Sequence, residues 1–198
     1  EYAFDIFAEM QLEMDLGKTK GSGQLFKTSL EKSLFSSPAA CIKSIEARLK
    51  KLYKKYAADD IKDIRLLEGL KTALEAITPA DFTRYQKLLD LLRSKEYAWN
   101  PADSGDRVVI FTERIETMKY LAERLRQDLG LKANVIQEIS GGMSDAEQQR
   151  IVEDFGRTES PVRVLVASDV ASEGLNLHYL SHRLIHFDIP WSLMVFQQ

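Results

Sequence analysis

The chain has 198 residues with a net charge of −3, which fits one large globular domain or two small ones and removes any overall electrostatic pull toward nucleic acid or membrane. Any basic binding surface must therefore be local. One cysteine, Cys41, excludes an internal disulfide, no apolar run is long enough to span a bilayer, and no signal peptide is visible.

The first hundred residues read as helical. The opening EYAFDIFAEMQ starts inside a helical pattern with no initiator Met, and the chain ends on VFQQ without a cap, so a piece of a longer protein is expected. LGKTKGSG (16–23) holds the tail of a phosphate-binding loop. The full pattern G-x-x-x-x-G-K-[ST] would need glycine where Leu12 stands, and a strand where EMQLEMDL reads as an amphipathic helix. The stretch reads instead as a helix-to-helix linker broken by Gly17, Gly21 and Gly23. Ser36-Ser37-Pro38 starts a helix, with proline suited to the first turn. Cys41 falls among its apolar residues and reads as buried. Ile42, Ile45, Leu49, Leu52 and Tyr56 form its apolar stripe, and Lys43, Arg48, Lys50, Lys51, Lys54 and Lys55 cover the rest. That basic cover reads as a solvated face, with phosphate contact as the alternative. Asp59 and Asp60 can cap a helix with the stripe Ile64, Leu67, Leu70, Leu74 and Ile77, stopped by Pro79. Asp81 is expected to cap another, carrying Phe82, Tyr85, Leu89 and Leu92.

AWNPADSGD (98–106) reads as a linker, and the grammar then changes. RVVIFT (107–112) is a short β-branched run. A helix follows from about Arg114 to Leu129, with Ile115, Met118, Leu121, Leu125 and Leu129 on one face and Gly130 at its end. ANVIQEIS is a second strand, GGMS a turn, and DAEQQRIVEDF a helix with Ser144 and Glu147 as a capping box. VRVLVAS and HRLIHFD are two more strands, separated by DVASEG, and PWSLMVFQQ begins a last helix. Strands alternating with helices imply an α/β unit, a parallel sheet with helices on both faces, whose ligands sit beyond the carboxyl ends of the strands. The expected division is a helical segment over 1–100 and the α/β unit over 101–198.

VVIFTE, ISGGMS, VLVASDVASEGLNL and LIHFDIPWSLMVFQQ, in that order and each at a strand end, resemble the second RecA-like lobe of superfamily-two helicases. The likeness is strongest to the bacterial Swi/Snf-type DNA translocases, including the RapA-like ATPases. KSLFSSPAAC (32–41) resembles the helical segment before that lobe. The resemblance implies a parent enzyme that couples ATP hydrolysis, with Mg2+, to movement on double-stranded DNA, and a partner motor lobe elsewhere in the same protein. It implies a cytoplasmic location, no membrane, and a helical segment open to other protein partners. It puts Thr112, Gly141, Gly142 and Ser168 at the nucleic-acid backbone, Ser168 standing where the family usually has threonine. It puts Asp169, Gly174 and Asn176 on the nucleotide side. Gln198 matches the first residue of the family's Q-R-x-G-R-x-x-R motif, whose arginines stabilise the transferring phosphoryl group. Where the family often has a basic residue after the GGMS turn, this chain has Gln148, with Arg150 two places on.

Read singly, these residues are ordinary. Thr112, Ser168 and Asp169 suit helix caps, Gly174 a helix stop and Asn176 a turn. His178, His182 and His186 have no spacing that suggests a metal site, and no metal is expected. Two rivals remain: an RNA helicase lobe, disfavoured because its RNA members usually read ARGLD where this chain reads SEGLN, and a non-enzymatic interaction module on a degenerate motor. The pattern lacks a phosphate loop and an acidic metal-binding motif, so the chain alone is expected to be inactive.

Overall fold

The computed structural model describes residues 2–12, 22–56, 62–168 and 181–188. The caps expected at Asp59 and Asp60, the GKT tripeptide, the segment from Asp169 through Asn176, His178, Trp191 and Gln198 lie outside them. The chain divides into two compact units, Glu1–Asp81 and Phe82–Gln198. Among the described residues no helix is long and apolar enough to cross a membrane.

The first unit is helical: α1 (Tyr2–Glu9), α2 (Ser22–Ser36), α3 (Pro38–Lys55) and α4 (Lys62–Glu75). Gly23, expected as a breaker, stands in the first turn of α2. Ser37 is the N-cap of α3, its hydroxyl accepting from the Ala40 N–H at 3.1 Å, with Pro38 in the first turn where no N–H is needed. Ile45, Leu49 and Leu52 of α3 bury against Ile64, Leu67, Leu70 and Leu74 of α4 and Leu30 of α2. Cys41 joins this core fully buried, and burial pushes its thiol up to about 12, so it stays protonated and unreactive at neutral pH. Arg48 leaves the basic cover to which its sequence position assigned it. It is 7% exposed and its guanidinium lies over the Phe26 ring at 4.8 Å.

Asp81 does not cap the next helix. Its carboxylate accepts from the Thr78 N–H at 3.0 Å and the Thr78 hydroxyl at 2.5 Å, closing the turn behind it, and α5 (Thr83–Arg93) starts after Phe82 with no side-chain cap. Both donors meet Oδ2, and this local side-chain-to-backbone bonding holds the carboxylate toward Thr78 instead of toward α5.

The second unit opens with α5 and continues β1 (Arg107–Thr112), α6 (Ile115–Asp128), β2 (Ile136–Ile139), α7 (Asp145–Gly156), β3 (Val164–Ser168) and β4 (Ser181–His186). The four strands form one parallel sheet in the order β2-β3-β1-β4. Residues 133–135 are a short 3-10 turn, so β2 starts three residues later than the β-branched run implied. Alternate residues of β1 and β3 face opposite sides, and both sides are covered. Val108, Ile110, Val164 and Val166 meet Leu88 and Leu92 of α5 and Met118, Leu121 and Leu125 of α6, while Val109, Leu165 and Ala167 meet Phe155 of α7. Ile115, expected on the apolar face of α6, is 37% exposed because it sits at the first position of the helix, ahead of the buried stripe.

The linker 98–106 is folded into this unit. Trp99 is buried and donates its indole N–H to the Asp106 carbonyl at 3.1 Å, and the Asp106 carboxylate accepts from the Asn100 N–H at 2.8 Å. Arg183 of β4 completes the knot with an ion pair to Asp106 at 2.6 Å and a guanidinium face on the Tyr97 ring at 4.7 Å.

Candidate functional site

Parallel pairing brings the sequence-flagged strand ends into a row. Thr112 is in register with Ser168, and Ile139 with Ala167, so Ser140, one residue on, stands level with Ser168. Phe111 pairs with His186, and the Phe187 N–H donates to the Phe111 carbonyl at 2.8 Å, which brings Asp188 to the same edge. Ser140, Ser168, Thr112 and Asp188 thus line the carboxyl edge of the sheet, all buried or nearly so.

Their bonding differs. Thr112, 1% exposed, donates its hydroxyl proton to Asp188 Oδ2 at 2.8 Å, and the Glu113 N–H donates to Oδ1 at 2.8 Å. Asp188 therefore ties the end of β1 to the end of β4. Thr112 cannot give the same proton to a phosphate while this bond stands. The Ser168 hydroxyl, also 1% exposed, has no hydrogen-bond partner among the described residues. Leaving a buried hydroxyl unsatisfied costs about 1–3 kcal/mol, so Ser168 is a place where a partner would stabilise the fold.

The turn at Ser140–Met143 faces the same edge. The Met143 N–H closes it on the Ser140 carbonyl at 3.1 Å. Gln148, where the resemblance implies a basic residue, donates its side-chain amide to the Ser140 carbonyl at 3.0 Å and the Met143 carbonyl at 3.2 Å. It is a brace for the turn. Ser144 and Glu147 form the capping box that starts α7 directly behind it. A methyl group on Gly142 would meet nothing closer than the Ser140 hydroxyl at 3.9 Å, so the fold does not require glycine there. Gly141 is half-buried beside it. His186 stacks on Phe111 at 5.4 Å between ring centres. Among the described residues, no group of three or more His, Cys, Asp or Glu could hold a metal ion.

Sequence reading missed Asp188 as a partner of Thr112 and Gln148 as the brace of the turn. Only the strand-end position of Asp188, after HF, marked it for attention.

Comparison with known proteins gives the family. The RNA polymerase-associated protein RapA of Vibrio parahaemolyticus is 30% identical over 94 residues, which is 48% of this chain and 9% of that protein. RapA of Vibrio campbellii is 31% identical over 94 residues, again 48% and 9%. The match thus spans about a tenth of the relatives' length. Among solved structures, the C-terminal domain of the Sulfolobus solfataricus SWI2/SNF2 ATPase has a TM-score of 0.44 at 21% identity, covering 76% of this chain and 66% of that one. The family described as "Helicase conserved C-terminal domain" matches residues 83–198, from the first residue of α5 to the last of the chain. With more than half of its residues inside that match, the chain belongs to the helicase conserved C-terminal domain family.

Proposed function

We propose that the chain supplies the second motor lobe of an ATP-dependent translocase or helicase that moves on double-stranded DNA, with its helical unit set before that lobe. The observation that carries the reading is the partnerless buried hydroxyl of Ser168, in register with Thr112 and level with the Ser140–Met143 turn, at the edge where parallel sheets bind ligands. On this reading Ser168 and the amides of the Gly141-Gly142 turn meet backbone phosphates, which position a nucleic acid without reading its sequence. Asp169, Gly174 and Asn176 carry the nucleotide side. ATP and Mg2+ supply the hydrolysis that drives the motion, and a partner lobe in the same protein supplies the phosphate loop. A cytoplasmic location follows from the same reading.

Two results test it. The 198-residue chain alone is expected to release no phosphate from ATP, because no G-x-x-x-x-G-K-[ST] pattern occurs in it. Steady hydrolysis that disappears in Asn176→Ala would overturn that. In the complete parent protein, Ser168→Ala is expected to lower DNA-stimulated ATPase several-fold while leaving basal ATPase near wild type. The same change removes an unsatisfied buried oxygen, so the thermal midpoint is expected to hold or rise. Equal loss of both activities with a lower midpoint would return Ser168 to a structural role.

A further inference from the structure

The lysines of α3 are not used by the site described above. Lys43, Lys50 and Lys54 lie along one line of the helix, and Lys51 and Lys55 lie one step round from it, opposite the buried residues Cys41, Ile45 and Leu52. All five are exposed. None makes an ion pair with another described residue; Lys55 only rests over the Tyr56 ring at 5.1 Å. Glu46, the acid within helical reach of both Lys43 and Lys50, is turned away to Lys71 of α4 at 3.4 Å. Acidic and basic residues balance over Glu1–Asp81, so the stripe is a segregation of charge, not an excess of it.

We infer that this lysine face of α3 is a second, sequence-independent contact surface for the phosphate backbone of duplex DNA. From Lys43 to Lys54 the helix runs about 16 Å, a length over which a duplex presents about ten phosphate charges. The chemistry favours nucleic acid over an acidic protein. Protein interfaces are anchored by buried aromatic and arginine side chains and are depleted in lysine. The lysine arc holds no arginine or aromatic residue, since Arg48 is turned into the core and Tyr53 lies to one side, hydrogen-bonded to Glu68 at 3.2 Å. Exposed ammonium groups without an ion-pair partner among the described residues suit a charged backbone of any sequence. The choice of duplex DNA rests on the motor reading above; the phosphate contact itself does not.

The test uses the whole 198-residue chain and a labelled duplex of about 30 base pairs and arbitrary sequence, followed by fluorescence anisotropy from about 50 to 200 mM salt. Replacing Lys43, Lys50 and Lys54 together by glutamine is expected to weaken binding at least tenfold at the low-salt end. The slope of log affinity against log salt should fall by about 2–3, near 0.9 for each phosphate that is no longer neutralised. The triple arginine variant should keep both. Unchanged affinity and slope in the glutamine variant, weakening in the arginine variant as large as in the glutamine one, or no measurable duplex binding by the unaltered chain would each overturn the inference. So would polyglutamate displacing the duplex at equal charge concentration, which would assign the face to an acidic protein. The two readings fail separately. A reduced salt slope in the lysine variant, beside ATPase coupling untouched by Ser168→Ala, keeps the lysine face and removes the strand-edge site; the opposite pair of results does the reverse.

Discussion

Replacing Arg107 by alanine is expected to destabilise the second unit by about 3 kcal/mol or more, because neutral carbonyls lose a charged donor at about 1–3 kcal/mol for each one left unpaired in a buried place. Arg107 starts β1 yet is 1% exposed, the largest fully buried side chain of the described residues. Its guanidinium donates to the Ser104 carbonyl at 3.0 Å and to the Phe155 and Arg157 carbonyls, and it lies over the Phe155 ring at 5.4 Å. Phe155 is in the last turn of α7, where carbonyls lack helical partners and the helix dipole favours a cation. One planar fork thus terminates α7 and fixes it to the foot of the central strand. Burial, and then the charge of Arg163, pull its pKa below the ordinary arginine value, while Asp154 opposes them. An arginine's ordinary value is so high that it stays charged at any working pH. Alanine would leave three carbonyls without this donor and open a cavity. Lysine keeps the charge but not the fork, so Arg107→Lys should recover only part of the loss. Urea titration of the three proteins measures this directly. A loss below about 1 kcal/mol for alanine would mean that water reaches those carbonyls and replaces the guanidinium.

That anchor was not legible in the sequence, and the reason is general to this chain. Features set by neighbours a few residues away could be read. The proline and Ser37 at the start of α3, the capping box of α7 and the β-branched run of β1 all fall where local rules put them. A parallel sheet brings the ends of its strands to one edge, and the register does align Thr112 with Ser168. What could not be read depends on partners distant in sequence. Arg107 looks like an exposed strand flank until α7 brings its last carbonyls within reach. Arg183 and Asp106 turn an apparent linker into part of the unit, and Leu88, Leu89 and Leu92 of α5 share its core, so the second unit begins at Phe82. Asp81 had two local choices, and the Thr78 side won. Local pattern ranks such choices poorly, because packing with the rest of the fold decides between locally similar alternatives.

Asp188→Ala is expected to cost about 2–4 kcal/mol, from leaving the Thr112 hydroxyl and the Glu113 N–H without their acceptor in a buried place. Asp188→Asn should recover most of this. Its amide oxygen can take the Glu113 N–H, and its NH2 can donate to Thr112, whose hydroxyl turns round and serves as acceptor there. The asparagine variant separates fold from function. It removes a negative charge from the edge at which a phosphate backbone is proposed to bind, and it releases the Thr112 proton from the carboxylate. Both effects have the same sign, so Asp188→Asn should bind duplex DNA several-fold more tightly than the unaltered chain, and Thr112→Val in that background should remove part of the gain. Anisotropy at fixed salt measures the affinities, and urea titration the stabilities. If Asp188→Asn is as stable as expected yet binds more weakly, then the carboxylate serves the interface by holding Thr112 in place, and release of the Thr112 proton is not what binding needs.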